Sequence, residues 1–205
     1  MNKDPNIKIY VVCHKPSYVP ENPYLCPIQV GTALSGNELE GMLHDNEGDN
    51  ISDRNKTYCE LTAQYWAWKN DDADYYGFFH YRRYFAFDPS ITREDGWGNI
   101  VYDRIDDEAI KELKLDPVTM KKIITQYDVI SVKGRKYSQE AEEDCPMDVY
   151  HEYGVAPFQH RKDLDITLKI LKQKYPEFSE IADEYMKSNV AHECNMFIMK
   201  KDVYR

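Results

Sequence analysis

The sequence predicts an α/β fold with a mainly parallel sheet, on three observations. Short β-branched and aromatic runs, IKIYVVC, DYYGFFH, YDVISVK and CNMFIMKK, recur along the chain. Segments with helical spacing of apolar residues lie between them. The length of 205 residues suits one domain, or one domain with a subsidiary lobe, and is enough to bury a substantial core.

The elements follow in order. IKIYVVCHK, stopped by Pro16, is a first buried strand that ends in His14 and Lys15. CPIQVGTAL is a weaker apolar stretch, and residues 44 to 57, HDNEGDNISDRNKT, form a long polar loop. TYCELTAQYWAWKN is a helix: Thr57 and Glu60 have capping-box spacing, and Leu61, Tyr65 and Trp68 fall on one stripe. After the NDDAD turn, ADYYGFFHYRRYFAF supplies a central buried strand that ends in a histidine, two tyrosines and two arginines. Residues 88 to 108 lack periodicity and form an ordered excursion. Asp116 and Pro117 are an N-cap and first-turn proline for a helix carrying Met120, Ile123, Ile124 and Tyr127. YDVISVK, residues 127 to 133, is a strand, and the polar segment 134 to 160 is a candidate active-site loop with one short helix around 146 to 153. Leu164, Leu168 and Leu171, with Ile170 beside them, mark a helix face, Pro176 opens a second helical piece, and CNMFIMKK is a last buried strand.

A formal net charge of -10 argues against a duplex nucleic-acid binder, which needs a broad basic surface. Any bound anion must be held by a local positive site. Tyrosine is abundant, at 17 residues spread along the chain, and suits sugar or base recognition as well as core packing. Cys13, Cys26, Cys59, Cys145 and Cys194 are far apart and odd in number, as expected of reduced, mostly buried thiols in a cytoplasmic protein. No apolar run approaches the ~18 residues of a membrane span. The sequence has no GxGxxG, GxxxxGK[ST], GxSxG or HExxH, and no residue stands out as a nucleophile.

Ligands of parallel sheets bind outside the carboxyl ends of the strands. That rule turns His14 and Lys15, and His80, Tyr81, Arg82 and Arg83, toward one crevice, where guanidinium groups suit a diphosphate. The alternative is that the arginines pair with local carboxylates such as Asp88 while the tyrosines pack. On an extended strand the adjacent arginines point to opposite faces, so only one of them reaches a ligand.

IKIYVVCHKP, PIQVGTAL, GDNISDRNKTYCELTAQYWAWKN, DYYGFFHYRRYF, YDVISVK, KDLDITLKILKQKYPEF and HECNMFIMKKDVY together resemble a bacterial family of capsular and exopolysaccharide biosynthesis glycosyltransferases. Many of its members carry only a domain-of-unknown-function label. The resemblance covers nearly the whole chain. It implies a GT-A-like, Rossmann-type, mostly parallel sheet flanked by helices. A nucleotide-sugar is the expected donor, and a growing lipid-linked capsular, exopolysaccharide or O-antigen glycan the expected acceptor. It also implies hexosyl transfer, galactofuranosyl in some members, at the inner face of the membrane. A non-catalytic nucleotide- or glycan-binding module of the same fold is the alternative.

Many GT-A enzymes carry a DxD metal motif where this sequence has HYRR, so the resemblance implies that His80, Tyr81, Arg82 and Arg83 meet the donor diphosphate directly. Mg²⁺ or Mn²⁺ held by Asp49, Asp74 or Asp88 is the other way to stabilise the same charge. Asp49, Asn50 and Asn55 match the family loop assigned to donor binding, or form an ordinary Asx-rich turn. Glu60 also matches, with capping as its expected role. His160 and Asp163 match a later position, where Asp163 serves as general base or caps its helix. His192 and Asn195 match acceptor contacts. Family domains commonly continue past NMFIMKK, so the resemblance implies a single domain over residues 1 to 205, shortened at its C-terminus.

Overall fold

The computed structural model describes residues 4–95, 98–137 and 148–205. In chain order the elements are β1 (Ile7–Cys13), β2 (Leu25–Gln29), α1 (Thr32–Ser35), β3 (Leu43–His44), a 3₁₀ turn (Ser52–Arg54), α2 (Asn55–Tyr58), α3 (Leu61–Asn70) and β4 (Tyr75–His80). Then come α4 (Asp107–Glu112), α5 (Pro117–Ile124), β5 (Val129–Ser131), β6 (Arg135–Lys136), α6 (Val149–Val155) and α7 (Arg161–Lys174). A second 3₁₀ turn (Pro176–Phe178), α8 (Ser179–Met186), β7 (Val190–Ala191), β8 (Phe197–Lys200) and α9 (Lys201–Tyr204) close the chain. They form two compact units, Met1–Val132 with Cys194–Arg205, and Lys133–Glu193.

The first unit is built on a six-stranded sheet in the order β3-β2-β1-β4-β8-β5. β1, β2, β3 and β4 run parallel, and β8 is antiparallel to both of its neighbours. Period-two alternation along β1 and β4 divides the core between the sheet faces. Ile7, Ile9, Val11 and Cys13 join Tyr75, Phe79, Met120 and Ile124 in one cluster. Tyr10, Val12, Tyr76 and Phe78 join Trp66, Ala63 and Ala67 of α3 in the other. Gly77 lies where the sheet is most crowded: a Cβ there would come within 2.9 Å of Ile9 and 3.0 Å of Ile198.

The helix expected across TYCELTAQYWAWKN is broken. Cys59 takes a positive φ of 47°, which separates α2 from α3, and Glu60 caps α3 with backbone alone, so the Thr57–Glu60 capping box does not form. The expected stripe faces outward, with Leu61 40% and Trp68 42% exposed. The face of Thr62, Ala63, Trp66 and Ala67 packs on the sheet instead, with Thr62 bonded to the buried Asp45.

Asp45, directly after β3, holds this corner. Its carboxylate is fully buried and accepts from Gly31 N (2.8 Å), Thr32 N (3.0 Å), Ser52 Oγ (2.5 Å) and Thr62 Oγ1 (2.6 Å). A buried charge is tolerated when its lone pairs are filled in this way. Gly31 has φ 66°, and a Cβ there would meet Asn55 Oδ1 at 2.7 Å. At the other edge of the sheet Asp71, just past α3, accepts from Lys8 Nζ at 2.6 Å and from the Tyr10 hydroxyl. Burial works against its charge, but the Lys8 and Tyr10 hydrogen bonds outweigh burial and hold the carboxyl below its usual range.

Asp116 caps α5 as expected, accepting from Thr119 N at 2.9 Å with Pro117 in the first turn. Met120 and Ile124 are buried, whereas Tyr127 lies beyond the helix end and is exposed. In the second unit β6 and β7 form an antiparallel ribbon. α7 and α8 are tied by Lys172 to Asp183 at 2.6 Å, and Leu164, Leu168 and Leu171 are half-buried while Ile170 is exposed. The short helix expected near 146 to 153 is α6, and residues 138–147 of that loop lie outside the described residues. Among the described residues no helix is long and apolar enough to cross a membrane. Cys13 is buried, but Cys59 and Cys194 are exposed, a correction to the expectation of mostly buried thiols.

Two outcomes follow. Asp45→Ala, which orphans two backbone N–H groups and two hydroxyls, should cost at least about 3 kcal/mol, and Thr62→Val about 1.5 to 3 kcal/mol, measured as shifts of the urea midpoint. Burial pushes the Cys13 thiol up to about 11. Peptide mapping after brief alkylation of the native protein should therefore find Cys59 and Cys194 modified and Cys13 protected.

Candidate functional site

β1 and β4 lie side by side in parallel, with Val12 opposite His80, so both strands deliver their following residues to one sheet edge. The Tyr81 N–H donates to Val12 O at 3.1 Å and carries the pairing one residue past β4. The chain then reverses: Arg83 N donates to His80 O at 2.8 Å and His80 N to Arg83 O at 3.2 Å. His80 to Arg83 is thus a tight turn with Tyr81 and Arg82 at its corners. The expectation that the two arginines point to opposite faces of an extended strand is corrected here. Both are exposed on the turn.

Tyr81, 8% exposed, is the floor of the cluster. The His14 ring meets it edge-on at 5.2 Å, the His80 ring lies 4.5 Å away, and Lys15 Nζ and the Arg82 guanidinium sit 5.4 and 5.1 Å from its centroid. Cation–π attraction fixes these long side chains without consuming their hydrogen-bond donors. Among the described residues no carboxylate pairs with Arg82 or Arg83. Asp88 instead accepts from Ser90 N and Oγ, which removes the pairing weighed from sequence. In a chain of net charge -10, Lys15, Arg82 and Arg83 gather as uncompensated positive charge at the edge where such sheets bind ligands.

One carboxylate approaches this cluster. Glu60 Oε1 lies 4.0 Å from His80 Nε2. Burial first, then the positive charge of Arg83, Arg82 and His14, hold His80 below its usual pKa against the pull of Glu60. His80 Nδ1 is buried without a hydrogen-bond partner among the described residues. Glu60 was expected to cap its helix; its match to the family loop was the signal for a place near the site, and the structure sets it beside His80. Asp45 was missed entirely, inside a stretch taken as polar loop.

Other expected site residues lie elsewhere. Asp49 exchanges backbone and side-chain bonds with Asn70, the last residue of α3, and accepts from Tyr65 Oη at 3.0 Å. α3 ends beside Asp71 and Lys8, near the start of β1, about 17 Å along the strand from Cys13. Asn50 closes its own loop through Asn46 O and Gly48 O. Asn55 braces the corner instead, donating to Cys59 O and Thr62 Oγ1 beside Gly31. Asp74 accepts from Asn6 N, so Asp49, Asp74 and Asp88 do not converge, and among the described residues no group of three or more His, Cys, Asp or Glu gathers as a metal site.

Asn195 precedes β8, whose antiparallel course brings its start to the same edge as the end of β4. His160, Asp163 and His192 belong to the second unit. His160 is the N-cap residue of α7 and Asp163 lies in its first turn; neither caps the helix through its side chain. His192 stacks on Tyr185 at 6.3 Å.

The chain is similar to the solved apo structure of WbbM, a bifunctional glycosyltransferase, with a TM-score of 0.88 and 36% sequence identity. The match covers 97% of this chain and 34% of that one, so the chain spans about a third of its length. No curated protein gives a significant match. A family model described as domain of unknown function (DUF4422) matches residues 8–205, and the chain belongs to that family.

Proposed function

We propose that this chain is a glycosyltransferase domain that moves a sugar from a nucleoside-diphosphate donor to a hydroxyl of a growing polysaccharide. The observation that carries the reading is the cationic turn around Tyr81 at the carboxyl edge of the sheet, on a chain similar throughout to part of a bifunctional glycosyltransferase. In the reaction the anomeric carbon–oxygen bond to the phosphate breaks, the acceptor oxygen bonds that carbon, and the acceptor proton passes to a base. Negative charge grows on the leaving diphosphate. Lys15, Arg82 and Arg83 are positioned to meet it, the arginines with paired N–H groups and His14 at the rim.

The cations perform the task that a divalent metal performs on a donor diphosphate. Asn195, at the edge of the first unit's sheet, is assigned an acceptor contact; in the second unit His192 is assigned another, and Asp163, beside His160, the acceptor proton. Asn55 supports the donor site by bracing the turn at Gly31. Hexosyl, including galactofuranosyl, donors and a lipid-linked acceptor at the inner membrane face fit the resemblance of the sequence.

Turnover of a panel of UDP- and GDP-sugars with lipid-linked acceptors tests this. Arg82→Ala and Arg83→Ala should each lower kcat by roughly 10²- to 10³-fold, about 2 to 4 kcal/mol in the barrier, with the fold intact by circular dichroism. EDTA should leave turnover unchanged. Unaltered donor affinity and turnover in both arginine variants would remove the diphosphate from this turn. A donor that binds but is never transferred would make the chain a binding module. For Asp163→Asn, loss of transfer with donor affinity retained is the expected split between kcat and KM.

A further inference from the structure

We infer that Glu60 is a positioning residue that lets His80 take up a proton when a donor diphosphate occupies the Arg82–Arg83 turn, so the site gains a further cation only with its anionic ligand in place. The inference rests on the donor reading above and adds to it a proton that travels with the ligand.

The geometry sets two opposing influences on one imidazole. His80 is the last residue of β4, on the sheet face that carries α3, and Glu60 at the start of α3 lies against its Nε2. At 4.0 Å the contact is longer than a hydrogen bond, so Glu60 acts mainly as a charge. The other ring nitrogen, Nδ1, is buried and has no partner among the described residues. From the turn come Arg82 and Arg83, from the end of β1 comes His14, and Lys15 lies on the far side of the shared Tyr81 ring. Burial first, then Arg83, Arg82 and His14, hold the imidazole below its usual pKa while the turn is empty.

A nucleoside diphosphate reverses the balance. Its oxygens neutralise Arg82 and Arg83, the repulsion on His80 falls, and the pull of Glu60 remains. The imidazole then takes a proton from solvent, and the 4.0 Å approach can close into a charge-assisted hydrogen bond. Proton uptake is largest at pH values between the His80 pKa of the empty site and that of the occupied one. Binding should therefore tighten as the pH falls through that interval, more steeply than ionisation of the nucleotide alone requires.

Calorimetry of UDP, GDP and inorganic pyrophosphate binding to the full chain, in two buffers of different ionisation enthalpy, measures the uptake. The expected result is a binding heat that changes with the buffer in the unmodified protein. His80→Asn should lose the part of that change not due to the nucleotide, and Glu60→Gln should reduce it and flatten the pH profile of affinity. In parallel, the His80 imidazole resonances should titrate at higher pH with UDP present, a readout that needs no variant to fold. Binding with the same buffer dependence in the unmodified protein and in His80→Asn, or an unmoved His80 titration, would overturn the inference and leave the donor site standing. Failure of all three ligands to bind would overturn both.

Discussion

The parallel pairing of β1 with β4 is the constraint on which the rest depends. Both strands are buried on two faces, so their residues satisfy a core on each side of the sheet at once. Gly77 admits the neighbouring strands where Ile9 and Ile198 would otherwise collide with a side chain. The register carries one bond past β4, from Tyr81 to Val12, and that bond fixes where the chain must reverse. Because the two strands end together, His14 and Lys15 are brought to the same tyrosine as Arg82. The chemistry of the site is therefore a consequence of strand registration.

A second constraint, the Asp45 carboxylate, shapes the flank. It links the turn at Gly31, the 3₁₀ turn at Ser52 and the first turn of α3 through four donors. α3 is anchored at Thr62, and the chain just before it bends at Cys59. That bend leaves Glu60 at the helix start beside His80. A residue of the site thus sits next to a turn of helix that a buried hydrogen-bond network holds in place.

Charge explains why the site stands out. The chain is acidic overall, and several of its other basic side chains are paired, as Lys8 is with Asp71, Arg93 with Glu112 and Lys172 with Asp183, whereas three cations gather at this turn. Gathering Lys15 and Arg82 on the Tyr81 ring beside Arg83, with no paired carboxylate among the described residues, is unfavourable for the empty protein. An anionic ligand relieves that repulsion, and the relief adds to its affinity.

The sequence by itself determined the α/β class, the two central buried strands and their exit into basic residues; the last strand, also expected to be buried, buries only Ile198 of its four residues. The runs of β1 and β4 are buried on both faces of the sheet, whereas those of β5 and β8 are only partly buried. It determined the cap at Asp116 as well, since capping is a contact within a few residues. Only the tertiary structure decided which face of α3 is inside: Thr62 is tied to the buried Asp45, and with it Ala63, Trp66 and Ala67 face the sheet while Leu61 and Trp68 face out. It decided also that Asp45 is a buried tie and not a loop residue, and that Asp49 stands at the far end of α3. The arginines meet on a turn and not on a strand. Each of these outcomes depends on packing between residues far apart in the chain, which local pattern does not encode.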